Sequence, residues 1–402
     1  MSDGSLAHGV PPRGVPPGAG DILTLLVGNQ ALTGWQRVTV TRPLAAIPSS
    51  FDIEVTERYP GKPDVDVQPG AACQVKIGDD LVITGYVDRY TSALAAGNHT
   101  VRISGRSLSA DLVDCSALIE GNTAQEGMQV LAGNTLGIVQ KLAAQYNVPV
   151  QSTAGEGKPI TGQLNINLGE TSWEIIDRIT RYSGMIAYDL PDGTLMLASV
   201  GAGQMASGFS IGDNVEGADV SLTMDGRFSD YEGALVSTAA LGHDAWGTGE
   251  VIHDYGVPRF RKRYVVSEQF ILGQPLANLR AQWECNRRYG QSFALNVTCD
   301  AWRDAAGKLW EPNYLATVQA GVLKVPSANW VIGGVTYLRD ENGQHAQIIL
   351  MPREAFEIEP ISLDMLTLQQ DIEQYNATKI VNPPVPSAGH FAPIGTAATK
   401  VK

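Results

Sequence analysis

The chain has 402 residues, which is enough for two to four domains of about 100–200 residues each. Hydrophobic residues make up 44% of it and charged residues 18%, a balance typical of a folded chain rather than a disordered one. Its 29 lysines and arginines against 42 aspartates and glutamates give a formal net charge of −13 at pH 7. This charge argues against binding to nucleic-acid backbones or anionic membranes, because both require clustered positive charge.

No apolar stretch approaches the roughly 18–20 residues of a membrane-spanning helix, and the polar start of the chain predicts no signal peptide. The four cysteines lie far apart, without the spacing of a zinc site. They predict reduced thiols packed in cores: Cys73, Cys115, Cys285 and Cys299. We therefore expect a protein that is made and folded in a cytoplasm.

The first 115 residues predict an arm followed by a β domain. Residues 1–20 are rich in glycine and proline and predict a mobile N-terminal arm. From residue 21 to 115, apolar and polar residues alternate between turn signals, as in the run Phe51, Ile53 and Val55. This period of two predicts a first antiparallel β-barrel. Strands from 206–240 could complete it.

Residues 116–205 predict a small α+β module. Leu136, Val139 and Leu142 have helical spacing, with Asn134 or Thr135 as the N-cap. A second helix starts in a capping box between Thr171 and Glu174. Its apolar stripe consists of Trp173, Ile176, Ile179 and Tyr182. The segment MIAYDL-PDG-TLMLASV then predicts a hairpin with its turn at residues 191–193.

Residues 206–356 predict a second β-barrel with one helix at 275–289. Three residues of that helix, Leu276, Leu279 and Trp283, are expected to face inward. Residues 357–402 predict an extended C-terminal tail that orders on binding. Its short apolar stretch is the candidate partner-binding segment: Ile361, Leu363, Leu366, Leu368 and Ile372.

The two β regions resemble each other. Phe51, Val55 and Thr56 match Phe293, Val297 and Thr298, and Val82-Ile83-x-Gly85 matches Val331-Ile332-x-Gly334. The shared order and spacing predict an internal duplication, although two unrelated sheets with common strand residues would be the alternative. The predicted fold is mainly β with an α+β insert: two similar small antiparallel β-barrel domains plus the module between them.

Three motifs hint at chemistry, and each has a simpler interpretation. Gly201-x-Gly203-x-x-Ala206 follows a strand but precedes no helix, so a linker is favoured over a dinucleotide site. Two His-Asp pairs, His243-Asp244 and His253-Asp254, lie in a glycine-rich stretch and are favoured as loop residues over a metal site or general base.

The third motif is the basic cluster of Arg259, Arg261, Lys262 and Arg263, interleaved with aromatic residues. It suits either phosphate or an acidic partner, but a charge-protected strand edge is favoured in so acidic a chain. No catalytic, cofactor-binding or metal residue is predicted, and no cofactor.

Three long segments resemble the baseplate hub proteins of Mu-like contractile-tailed bacteriophages. The first is LVITGYVDRY-x₈-HTVRISGRS followed by LSADLVDCSA. The second is GNTLGIVQKLAAQYNV with SWEIIDRITRYSGMIAYDLPDGTLMLA. The third is RRYGQSFALNVTCDAWRDAAGKLWEPNYLATV with WVIGGVTYLRDENGQHAQIILMPREAF. Together they cover about residues 21–356, without a diagnostic catalytic motif.

The resemblance implies a non-enzymatic homotrimer in the virion tail baseplate, assembled in the host cytoplasm. Two barrels per chain would make a ring of six that joins the six-fold tail tube, or a tube adaptor, to the three-fold tail spike protein. Other baseplate proteins would also bind, and DNA would pass only transiently. The alternative is a peptidoglycan-binding or peptidoglycan-cleaving tail protein. A type VI spike component is disfavoured because the sequence lacks a repetitive β-prism region.

Overall fold

The computed structural model describes residues 21–56, 67–95, 98–117, 129–167, 169–236, 246–268, 273–325 and 327–361. The predicted N-terminal arm and the tail beyond residue 361 lie outside the described residues. The described part is mainly β with a small α+β insert, which confirms the predicted fold class. Among its helices, none is long and apolar enough to cross a membrane.

The first half of the chain contributes seven strands to a 14-stranded sheet. Their order across the sheet is β3-β4-β7-β6-β5-β1-β2, and every neighbouring pair is antiparallel. The alternating residues found in the sequence point their apolar members into a common core. The strands are β1 (Leu23–Val27), β2 (Gln30–Leu32), β3 (Arg37–Pro43), β4 (Ser50–Thr56), β5 (Ala72–Ile77), β6 (Asp80–Ala95) and β7 (Asn98–Ser107).

The insert contains two well-capped helices and two small sheets, β11-β12-β9 and β10-β8. The side chain of Asn134 caps α2, and Thr171 and Glu174 form the predicted capping box of α3. The predicted hairpin is present as β11 and β12. The elements are α1 (Ala110–Asp114), β8 (Gln129–Asn134), α2 (Thr135–Ala144), β9 (Val150–Ser152), β10 (Pro159–Asn165), α3 (Ser172–Ser183), β11 (Ile186–Asp189) and β12 (Leu195–Ala198).

The second half returns to the large sheet after a short detour. Its elements are β13 (Gly203–Gln204), β14 (Phe209–Ser210), β15 (Val215–Leu222), β16 (Asp230–Val236), β17 (Trp246–His253), β18 (Lys262–Glu268), α4 (Gly273–Gln291), β19 (Phe293–Cys299), β20 (Tyr314–Gln319), β21 (Ala328–Asp340) and β22 (Gly343–Met351). Short 3-10 turns occupy Gly321–Leu323 and Arg353–Phe356. The Gly201–Ala206 motif, predicted to be a linker, contains β13, which pairs with β20, so this part of it belongs to the sheet.

The duplication is visible in the strand order. The antiparallel series β3-β4-β7-β6-β5 of the first copy recurs as β15-β19-β22-β21-β20 in the second. A bulge after Val87 in β6 corresponds to a bulge after Ile332 in β21. This correspondence aligns Ile332 with Val87, whereas the sequence match placed it against Ile83. Strands with a period of two match equally well at every even shift, and only the bulge resolves the register.

The two copies share one sheet and one core. β21 pairs antiparallel with β3, from Gly334 opposite Pro43 to Arg339 opposite Val38. At this junction Tyr337 is fully buried, and the hydroxyls of Thr41 and Thr336 lie 3.3 Å apart. The duplicated units are therefore fused edge to edge, a contact that the sequence could not reveal because both partners read as ordinary strands.

Residues 206–268 do not pair as the sequence suggested. β15 pairs with β19 of the second copy, so the described strands of 206–240 do not complete the first barrel. β16, β17 and β18 form a separate three-stranded sheet, outside the second barrel that was predicted to contain them. Alternation predicts that a segment is a strand, but it does not specify the neighbouring strand.

Helix α4 covers one face of this three-stranded sheet with its smallest residues. Ala277 and Ala281 are completely buried, whereas Leu279 is 58% exposed, so its predicted inward position is wrong. The reason is the close approach of the helix to β16: a Cβ on Gly233 would lie 2.5 Å from the carbonyl oxygen of Ala277. Bulky side chains have no room on that face, and the leucine is turned outward.

Candidate interaction surfaces

The four cysteines are all unpaired, as predicted. Burial is the main reason why the pKa values of Cys73 and Cys299 rise to about 12, and it raises that of Cys285 to about 11. These thiols are therefore protonated and unreactive near neutral pH. Cys115 is only half-buried, so the prediction that it packs in a core is wrong.

The second His-Asp pair serves the structure of the three-stranded sheet. Nε and Nη2 of Arg227 donate to the carboxylate of Asp254 at 2.9 and 2.8 Å, and both side chains are more than 90% buried. His253 points elsewhere, with Nδ1 2.9 Å from Asp230. His243 and Asp244 lie outside the described residues. Where the chain is described, no group of three or more His, Cys, Asp or Glu residues could hold a metal ion.

The basic cluster uses most of its charge within the chain. Arg261 donates to the carbonyl oxygens of Met224 and Asp225, at 2.6 and 3.0 Å. Lys262 lies 2.5 Å from Glu232, and Arg263 lies 3.4 Å from Glu284. The hydrogen bond with Lys262 is the main reason why the pKa of Glu232 is lowered. β18 is an edge strand of its sheet.

Exposed apolar side chains surround this cluster and form a candidate docking surface. Tyr255 is 92% exposed and Phe260 79%, both in the connection between β17 and β18. On β18 itself, Tyr264 and Val266 are 52% and 59% exposed, while Val265 between them packs toward α4. We call these four exposed residues the apolar face. The aromatic residues interleaved in PRFRKRY were its only signal in the sequence.

The chain leaving β22 is held across α4. Nε1 of Trp283 and Nη1 of Arg287 both donate to the carbonyl oxygen of Glu357, at 2.9 and 2.8 Å. Nε of Arg280 donates to the carbonyl oxygen of Pro360 at 3.0 Å. Burial lowers the pKa of Arg287. Residues 357–361, which the sequence assigned to the extended tail, instead form a strap fixed to the helix.

A cleft of about 350 Å³ lies where this strap, α3 and α4 meet. Its walls include Trp173, Trp283 and Phe356, with Arg181 at its polar side. Ile361 lines the adjoining depression beside α3. It is the one member of the predicted partner-binding segment that the structure describes; Leu363, Leu366, Leu368 and Ile372 lie outside the described residues.

Known family models match three parts of the chain. Residues 22–107 match the N-terminal domain of the GpP-like Mu phage baseplate assembly protein, and residues 109–199 match the second domain of gp44-like baseplate hub proteins. Residues 274–359 match the fourth domain of Mu phage baseplate assembly protein GpP. The matches contain the first copy of the duplicated sheet, the insert, and strands β19 to β22 of the second copy.

Relatives and solved structures agree with these matches. Baseplate hub protein gp44 of Escherichia phage Mu is 28% identical over 352 residues, 85% of this chain and 90% of that protein. The 43 kDa tail protein of prophage MuSo2 from Shewanella oneidensis is 26% identical with a TM-score of 0.74, covering 84% of this chain and 100% of that one. A tail protein from Neisseria meningitidis MC58 shares the fold, with a TM-score of 0.66 at 23% identity over 85% and 98% of the two chains.

The duplicated antiparallel sheet with its α+β insert thus defines a phage tail protein, a component of the virion baseplate. The chain belongs to the family of Mu-like baseplate hub proteins, as the resemblance of its three sequence segments indicates.

Proposed function

We propose that this hub protein acts as a homotrimer whose six sheet copies form a ring between the six-fold tail tube and the three-fold spike. The fusion of two topologically equivalent copies in one continuous sheet carries this proposal. Three such chains present six similar units to a six-fold partner while keeping true three-fold symmetry for a three-fold partner. The protein is proposed to be structural and not an enzyme.

The acidic composition supports passage of DNA through such a ring. The chain carries a formal net charge of −13, and a trimer would carry three times that charge. Negative charge near a channel repels phosphate groups and so keeps DNA from adhering during ejection. Binding to the spike, the tube or tube adaptor and other baseplate proteins belongs to the same proposal.

The purified chain is expected to have a mass three times its 42.9 kDa in light scattering, because the ring requires three copies. Negative-stain images of that peak should show a ring with a central hole. A species that stays monomeric at every accessible concentration would contradict the trimer. Binding to purified sacculi and zymograms would then test the alternative function in cell-wall binding or cleavage.

Removing residues 362–402 is expected to leave the trimer intact and to weaken attachment to the spike. The cut falls after the strap, so the contacts of α4 with Glu357 and Pro360 remain. Copurification of truncated and full-length chains with the spike protein measures the effect. Wild-type recovery of spike by the truncated chain would show that the tail is not the tether.

A further inference from the structure

The junction inside the chain uses only part of β21. Near its start, β21 pairs with β20 of its own copy, from Ala328 to Val331. Beyond the bulge, Gly334 to Arg339 pair with β3 of the first copy instead. One strand thus changes partner along its length, and its second part joins the two copies.

Each of the two junction strands has a counterpart in the other copy, and both counterparts have an edge available for the same contact. β6, the counterpart of β21, pairs with β5 from Asp80 to Tyr86; beyond its bulge, β7 is its only partner among the described strands. β15, the counterpart of β3, pairs within the described residues with β19 alone across Gly217–Leu222. An open strand edge is a template for pairing with another chain.

We propose that β6 of one chain pairs antiparallel with β15 of a second copy and repeats the internal junction between chains. Transferring the β21–β3 register through the two bulge-aligned copies places Thr91 opposite Ser221, Ala93 opposite Asp219 and Leu94 opposite Ala218. This inference rests on the proposed homotrimer and assigns the strands and the register that close its ring.

The side chains suit this register. Thr91 and Ser221 take the positions of Thr336 and Thr41, so a pair of hydroxyls faces across both junctions. Leu94 is 84% exposed and Leu222 50%, and the pairing would cover apolar surface on both strands. In this register no two like charges lie opposite each other. Like charges in opposite positions would destabilise the pair of strands.

The contact is heterologous, since it joins one edge to a different edge. Such contacts form a closed ring or an open filament, depending on the rotation between copies. Because every chain already contains one junction of this type, each added chain contributes two further sheet copies in the same order around the ring. Three chains make six units, which matches the ring in the proposed function.

Disulfide trapping tests the register. In a Cys115→Ser background, the double variant Thr91→Cys with Ser221→Cys is expected to form covalent dimers and trimers under mild oxidation. The reason is that opposite Cα atoms lie about 4.5–5.5 Å apart in an antiparallel pair, which suits a disulfide. Thr91→Cys with Gly217→Cys is the off-register control, displaced by about 13 Å along β15. Thr41→Cys with Thr336→Cys is the positive control and should cross-link within one chain.

A charge test uses the exposed Ala93. Ala93→Asp would place a carboxylate opposite Asp219 and is expected to weaken each junction by about five-fold, whereas Ala93→Lys should leave the trimer intact. Adding Asp219→Asn to Ala93→Asp should restore assembly while keeping the acceptor for Nδ2 of Asn296. Analytical ultracentrifugation of the four proteins measures these changes.

The outcomes separate this inference from the proposed function. A wild-type trimer without the Thr91–Ser221 cross-link, while the internal control forms, would overturn the register and leave the trimer standing. Equal assembly of Ala93→Asp and Ala93→Lys would do the same. A wild-type chain that never trimerises would overturn both proposals.

Discussion

Replacing Asp254 with asparagine is expected to lower the free energy of unfolding of the three-stranded sheet and α4 by about 3–5 kcal/mol. The change removes the charge that faces the guanidinium of Arg227, which is only 6% exposed. The ring of Tyr289, 5.1 Å from that guanidinium, cannot replace a carboxylate. Urea denaturation and hydrogen exchange in β16–β18 measure the loss.

A matched control separates burial from charge pairing as such. Asp52→Asn removes the partner of Arg102, but that arginine side chain is 60% exposed, so the cost should stay below about 1 kcal/mol. In the double variant Arg227→Met with Asp254→Asn, no buried charge is left unpaired, and much of the stability should return. Equal effects of the two single carboxylate variants would contradict the structural role of the buried pair.

Replacing Tyr337 with alanine is expected to cost about 3–5 kcal/mol, the range for removing a large buried side chain. Tyr337 is fully buried at the fusion of the two copies and packs edge to face on Trp302, with ring centroids 6.0 Å apart. Its hydroxyl donates to the carbonyl oxygen of Trp310. Burial is the main reason why its pKa is raised, so the hydroxyl keeps its donor proton at pH values well above neutral. Thermal or urea unfolding measures the loss.

The duplication supplies the control for this experiment. Ser92 occupies the position of Tyr337 in the other copy, and in the single chain it is exposed, with its hydroxyl 2.7 Å from Nε2 of His99. Ser92→Ala should therefore change the stability of the chain by less than about 0.5 kcal/mol. A small effect of Tyr337→Ala would mean that the junction contributes little to holding the copies together.

Local features of this chain could be predicted because they depend on residues close in sequence. Asn134 caps α2 and Thr171 with Glu174 caps α3 through atoms within three positions of each other. The hairpin of β11 and β12 likewise follows from its turn residues. The duplication was also accessible, because the same pattern of strand residues occurs twice in the sequence.

Features that depend on distant partners could not be predicted. Leu279 fits an inward helical stripe, yet it faces solvent because Gly233, 46 positions away, draws the alanine face of α4 against β16. The strands β16–β18 have ordinary alternation, and nothing in it distinguishes their own small sheet from the second barrel. The strap on α4 depends on main-chain carbonyl groups, which have no signature in the sequence.

The order of residues is enough to predict the class of fold, the duplication, the capped helices and the family, because periodicity, capping and similarity are all properties of that order. The tertiary structure alone decided how the two copies meet. Strands of period two fit many partners at many even shifts, and the bulges, the buried Tyr337 and the pairing of β3 with β21 select one arrangement among them.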